Sequence, residues 1–276
     1  MDLKQLEIFA AQIRLETVKM IGKRGFGHVS GSLSVADALA VLYGSIMNIL
    51  PEKPQWDGRD RLVMSKGHAG PALYSALALK GFFPMEWLNT LNLPNTKLPS
   101  HCDATLTPGI DFTTGSLGQG ASAAVGMALA QKMDGTNAKT YLFLGDGECN
   151  EGQVWEAVMF AGQHKLANLI TFVDYNRKQL DGTTDEVLDM GDIDKKFAEF
   201  GWHTQNINGN NIPALCDALQ KLSPDLPNVI VLNTKKGAGV SVVENIELNH
   251  HMVVEGDLFA TALAECQTTL SSIIEK

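Results

Sequence analysis

Between Tyr141 and Gly182 the chain spells out a strand, a helix and a second strand, and this unit limits it to few architectures. The apolar run Tyr141 to Leu144 stops at Gly145-Asp146-Gly147. A short apolar run ended by glycine reads as a buried strand of a parallel sheet. A helical pattern follows from Glu151 to Lys165, with Val154, Val158 and Ala161 on one face. Leu169 to Val173 then forms the next strand and runs into Asp174-Tyr175-Asn176. Parallel strands joined in this way bring their carboxyl ends to one edge, where open α/β sheets bind ligands. Asp146 and Asn176 stand just past those ends. Both are hard oxygen donors, suited to Mg²⁺ or Ca²⁺ rather than zinc. Mg²⁺ is usually held by one or two protein carboxylates plus phosphate oxygens, so the pair points to a diphosphate anchored through a metal.

The remaining segments extend the same alternation. Residues 2 to 22 form a helix with Leu6, Ala10, Ile13 and Val18 toward one side, followed by a glycine-rich loop from Gly22 to His28. Ser34 is expected to cap a second helix, with Asp37 completing a capping box. Arg61 to Met64 is a short strand leading into Ser65-Lys66-Gly67-His68-Ala69-Gly70 and a helix stopped by Gly81. Phe82 to Leu93 is expected as a short helix, and Asn95 to Thr114 as a loop carrying His101. Gly115-Ser116-Leu117-Gly118-Gln119-Gly120 opens a helix of small residues, Ala121 to Met133, able to pack closely on a sheet or on another helix. Its glycines are in the wrong order for a dinucleotide fingerprint, and no strand closely precedes them. Later come a helix (Asp192 to Phe200), a strand (His203 to Ile207), a helix capped by Asn211, a strand (Val229 to Asn233) and a final helix (Glu255 to Ile274). Such alternation predicts an α/β fold with a mainly parallel sheet and helices on both faces.

Charge and cysteine content narrow the function. The net charge is −9 and no basic run exceeds Lys235-Lys236, which argues against nucleic acid and anionic membrane as partners. No apolar run is long enough to span a bilayer. Four cysteines without C-x-x-C spacing read as reduced thiols, and the N-terminus lacks a signal-peptide pattern, so a cytoplasmic location is expected.

Several motifs agree in order and approximate spacing with one family. Gly27-His28, Ser65-Lys66-Gly67-His68-Ala69, Pro99-Ser100-His101, Thr113 to Gly120 and the block from Gly145 to Gly182 resemble the diphosphate-binding domain of transketolases, from about residue 7 to 256. The Gly-Asp-Gly block ending in Asn176 also resembles the wider thiamine diphosphate fingerprint. The resemblance implies a single domain over residues 1–276 with the PP-type fold, thiamine diphosphate and Mg²⁺ (or Ca²⁺) as cofactors, and two-carbon ketol transfer between sugar phosphates. The pyrimidine-binding and C-terminal domains are expected on a partner chain, as in a split transketolase, with an α₂β₂ heterotetramer as the active form.

Carried over by position, Asp146, Asn176 and the carbonyl of Lys178 would bind the metal, and Gly147 and His68 the diphosphate. Gly115 and Leu117 would lie against the aminopyrimidine side, and Glu151 and Glu156 near a subunit contact of the active site. His28, His68, His101 and His250 would face cofactor or substrate. Val29 and Cys102 stand where prolines commonly follow the histidines, Asn249 replaces an aromatic residue, and His251 adjoins His250; these departures bear on substrate identity. Rival readings are the α subunit of a 2-oxo acid dehydrogenase or decarboxylase, and a non-catalytic paralogue.

Overall fold

The computed structural model describes residues 1–276. Its strands are β1 (Phe26–Gly27), β2 (Arg61–Met64), β3 (Thr140–Gly145), β4 (Leu169–Tyr175), β5 (His203–Asn208), β6 (Asn228–Asn233) and β7 (Met252–Val253). Helices α1 (Leu3–Arg24), α2 (Val29–Leu33), α3 (Ala36–Val41) and α4 (Gly70–Leu79) precede α5 (Gln119–Met133) and α6 (Gly152–Gln163). Then follow α7 (Thr184–Leu188), α8 (Ile193–Glu199), α9 (Ile212–Gln220), α10 (Ser241–Glu244) and α11 (Gly256–Glu275). Five strands form one parallel sheet in the order β2-β3-β4-β6-β5.

The central strands are buried on both faces, and their alternation divides two cores. Tyr141, Phe143, Ile170, Phe172, Ile230 and Leu232 face a large core shared with α1, α3, α4, α9 and α11. Leu142, Leu144, Val173, Val229 and Val231 face a smaller one filled by α5, α6 and α8. Successive side chains of a strand point to opposite faces, so a doubly covered strand is apolar throughout. The small residues of α5 serve close approach. A β-carbon on Gly120 would lie 2.8 Å from the Cα of Ser65, so only glycine lets this helix start against the end of β2.

Three local expectations are corrected. Ser34 does not cap a helix: it sits in a helical conformation at the end of α2, with φ −61° and ψ −30°, and its hydroxyl donates to Asp174 Oδ2 at 2.7 Å. Asp37 is engaged elsewhere, accepting from Arg14 Nη1 at 2.9 Å and Nη2 at 2.5 Å. The first helix runs on to Arg24 and ends at Gly25, whose φ of 89° gives the left-handed cap that glycine adopts without strain. Over Phe82 to Leu93 only Met85–Thr90 is helical, as 3₁₀ turns.

A second, two-stranded sheet was not expected. β1 pairs antiparallel with β7, Phe26 opposite Val253 and Gly27 opposite Met252. It ties the chain just before His28 to the chain just after His251, more than two hundred residues later.

Candidate functional site

Asp146 follows β3 and Asn176 follows β4, so the register of these neighbouring parallel strands (Gly145 beside Asp174) sets the two side chains at one sheet edge. Asp146 takes the first position beyond its strand, where its Oδ1 accepts from the Gly147 amide at 2.8 Å and its Oδ2 from the Arg177 amide at 2.5 Å. Asn176 donates to Asp174 Oδ2 at 2.9 Å through Nδ2. Its Oδ1 accepts the Lys178 amide at 3.2 Å, which turns the loop back over the sheet edge. Burial and the neighbouring Asp174 push the Asp146 carboxyl up to about 6. A cation at this point would relieve that cost, because an opposite charge nearby favours the ionised carboxylate.

Behind these groups lies a buried charge network. Lys66, 1% exposed, pairs with Asp174, 0% exposed, and donates to the Gly31 carbonyl at 3.0 Å. Burial would raise Asp174, yet the Lys66 ammonium and hydrogen bonds from Lys66, Thr234 and Ser34 hold it below the usual carboxylate range. Glu148, also buried, is pushed up by burial while accepting from Ser65, from the Gly118 amide at 2.8 Å and from the Gly145 amide at 3.0 Å. One carboxyl group thus clamps the ends of β2 and β3 to the Gly115–Gly120 turn.

A cavity of about 500 Å³ opens over this edge. His68, Leu117, Asp146, Gly147, Glu151, Asn176, Lys178 and His250 line it. Gly115 does not; it backs the loop, and a β-carbon there would sit 3.8 Å from His101. Glu156 lies outside as well, on the exposed side of α6 beside Met159 and Phe160.

The histidines converge from separate segments. His28 begins α2 and His68 lies in the 3₁₀ turn Gly67–Ala69. His101 is held through its backbone, the carbonyls of Pro99 and His101 accepting from Tyr74 Oη at 2.9 and 3.1 Å. The loop that carries it is anchored further along, where the Asp111 carboxylate, its side chain 2% exposed, accepts from Arg59 and from the Leu62 amide at 2.8 Å. Ring centroids of His28 lie 5.4 Å from His68, 5.5 Å from His101 and 5.3 Å from His250, and His68 lies 4.8 Å from His250.

Burial, reinforced by neighbouring His250 and His251, lowers His28 to about 3. Burial and Lys236 lower His250 to about 4. His68 falls well below its ordinary range through burial and Lys66, and His101 is lowered by burial and His251. At neutral pH these are uncharged imidazoles, each with one donor and one acceptor nitrogen.

Lys236 was not singled out from the sequence. Although 3% exposed, it lines the cavity, and its Nζ donates to the Lys178 carbonyl at 2.8 Å and contacts His250 Nδ1 at 3.1 Å. Burial, then the nearby Lys66, lower it to about 8. The only signal was its place between a strand end and Gly237-Ala238-Gly239, too general to separate it from a surface lysine. Its contact marks the Lys178 carbonyl as an acceptor that takes a cation from the cavity side. Carboxylate, amide oxygen and backbone carbonyl make a hard-oxygen set of the kind that suits a divalent metal, and Lys66 and Lys236 supply positive charge for an anion beside it.

The family model described as "Transketolase, thiamine diphosphate binding domain" matches residues 6–264. The 6-deoxy-6-sulfo-D-fructose transketolase subunit of Clostridium sp. (strain MSTE9) is 52% identical, over 92% of this chain and 94% of that protein. An apulose-4-phosphate transketolase subunit of Phocaeicola vulgatus is 38% identical over 100% of this chain and 97% of its own length. Among solved structures, transketolase from Campylobacter jejuni superposes with a TM-score of 0.89 at 29% identity, covering 99% of this chain and 46% of that one.

Proposed function

Because the chain belongs to the transketolase family, as a thiamine diphosphate-binding subunit, we propose that it transfers a two-carbon ketol unit from a ketose to an aldose phosphate together with a second polypeptide. That partner would carry the pyrimidine-binding and C-terminal domains. The chain spans less than half of the C. jejuni transketolase yet nearly all of two relatives that are named as subunits. An α₂β₂ heterotetramer in the cytoplasm is the assembly we favour; all four cysteines are free, and no helix is long and apolar enough to cross a membrane.

The observation that carries this reading is the cavity where the oxygen donors meet the neutral imidazoles. Asp146, Asn176 and the Lys178 carbonyl would hold Mg²⁺ (or Ca²⁺). Lys66, Lys236, His68 and the Gly147 backbone would face the diphosphate, and Gly115, Leu117 and Glu151 the side toward the partner. When bound, thiamine diphosphate supplies the nucleophilic carbon that no side chain here provides. His28, His101 and His250 would orient the sugar hydroxyls and hold or move their protons, work that suits uncharged imidazoles.

The 52% identity favours a ketose whose far end carries a sulfonate or phosphate. The test is a coupled assay of 6-deoxy-6-sulfo-D-fructose and xylulose 5-phosphate as donors with aldose phosphate acceptors. The chain is assayed alone and with its co-expressed partner, with Mg²⁺ and thiamine diphosphate present. Ketol transfer by the mixture alone is expected. Full turnover by the single chain, or pyruvate consumption by the mixture, would overturn the reading.

A further inference from the structure

The histidine wall contains a fifth ring. Pairing of Phe26 with Val253 and Gly27 with Met252, continued by one residue, sets His28 opposite His251. The rings meet edge to face with centroids 4.7 Å apart, closer than His68, His101 or His250 come to His28. Phe26 backs the same ring at 5.8 Å.

The setting of His251 differs from that of its neighbours. It is exposed while the other four are half-buried, and neither ring nitrogen has a hydrogen-bond partner within the chain. An exposed histidine usually turns into solvent; this one is held beside His28 by the strand pairing next to it. Its proximity also contributes to the lowering of His28, His101 and His250.

We infer that His251 is a specificity-determining contact for the donor, hydrogen-bonding a hydroxyl of the ketose chain next to those met by His28 and His101. The inference rests on the transketolase reading above. It adds a residue outside the four histidines that the family resemblance assigns, at a position fixed by the β1–β7 pairing.

The decisive experiment is steady-state kinetics of the complex with its partner, comparing wild type, His251→Ala and His251→Gln across ketose donors of differing hydroxyl configuration. Loss of one hydrogen bond predicts a rise of about three- to tenfold in donor KM for His251→Ala. The kcat should stay within about twofold, the ranking of donors should change, and the amide of His251→Gln should recover part of the loss. Thiamine diphosphate affinity, measured by calorimetry, should not move.

Unchanged donor KM values and ranking in His251→Ala would overturn the assignment. So would a parallel loss of cofactor affinity, which would mean that the substitution merely loosens β7. A wild-type complex that binds thiamine diphosphate but accepts no ketose would sink the transketolase reading itself, and this assignment with it, before any variant is made.

Discussion

The loop proposed for a cation and the histidine wall meet at one cavity, through His68 and His250, but are built in opposite ways. Asp146, Asn176 and Lys178 come from a single strand–helix–strand unit, their spacing fixed by β3 pairing with β4. The histidines come from the start of α2, a 3₁₀ turn, a long loop and the lead into β7. The loop concentrates unlike charges, with Lys66 and Lys236 against Asp146 and Asp174. The wall holds imidazoles that burial keeps neutral. A local unit can fix ligands for a cation, whereas groups that must surround a substrate have to arrive from several directions.

The sharpest way to break the comparison is to remove the loop's charge. Asp146→Ala should cut Mg²⁺-dependent thiamine diphosphate binding by at least about 100-fold, since even partners that only orient a metal's ligands cost 10–100-fold when removed. Calorimetry with metal and cofactor reads the affinity, and circular dichroism should show the fold retained. Affinity within tenfold of wild type would mean that the loop does not hold the metal.

Next in size is the charge pair behind the loop. Lys66→Met would leave Asp174 buried without its ammonium, and uncompensated buried charges destabilise by about 3–5 kcal/mol. Both side chains are essentially inaccessible, so salt should screen the pair little. Urea unfolding of the single variant and of the Lys66→Met/Asp174→Asn double variant would measure this. The double variant should regain most of the loss. A single variant as stable as wild type would show that Thr234, Ser34 and Asn176 satisfy Asp174 unaided.

The two regions also differ in how far the sequence discloses them. Strands β2, β3, β4 and β6 were readable because buried parallel strands are mostly apolar and stop at glycine or polar residues, whereas β5 is a polar edge strand legible only from its place between two helices. The pairing of Asp146 with Asn176 at one sheet edge was readable because both follow such strands directly. Each histidine was visible as a motif, but their convergence depends on β1 and β7, pairs of residues too short to leave any periodicity. For that reason His251 seemed only a neighbour of His250, although the pairing sets it against His28. Ser34 and Asp37 had the spacing of a capping box, yet their side chains are taken by Asp174 and Arg14, tertiary partners that no local pattern reveals. Lys66 and Lys236 were hidden likewise, since only burial distinguishes them from surface lysines.

The smallest effect sharpens the contrast through pH. For the metal-free protein, His28 at about 3 and His250 at about 4 lie below the ordinary histidine value of 6.5. As pH falls below 6.5 the unfolded chain takes up protons at these positions while the folded chain does not, so the wall contributes full stability above 6.5 and loses it progressively toward 3. Asp146 runs the other way. Its carboxyl is raised from 3.8 to about 6, so its contribution is complete below 3.8 and is lost as pH rises through 6. Within the interval that both cover, the two regions pull against each other. Thermal unfolding in chelator between pH 4 and 7 should therefore change in opposite senses when each is neutralised. His28→Asn should flatten the acid side of the stability profile, and Asp146→Asn should remove the decline toward neutrality. If His28→Asn left the acid limb as steep as in wild type, His28 would take up its proton in the folded protein as readily as in the unfolded chain, and the division between a charged loop and a neutral wall would fail there.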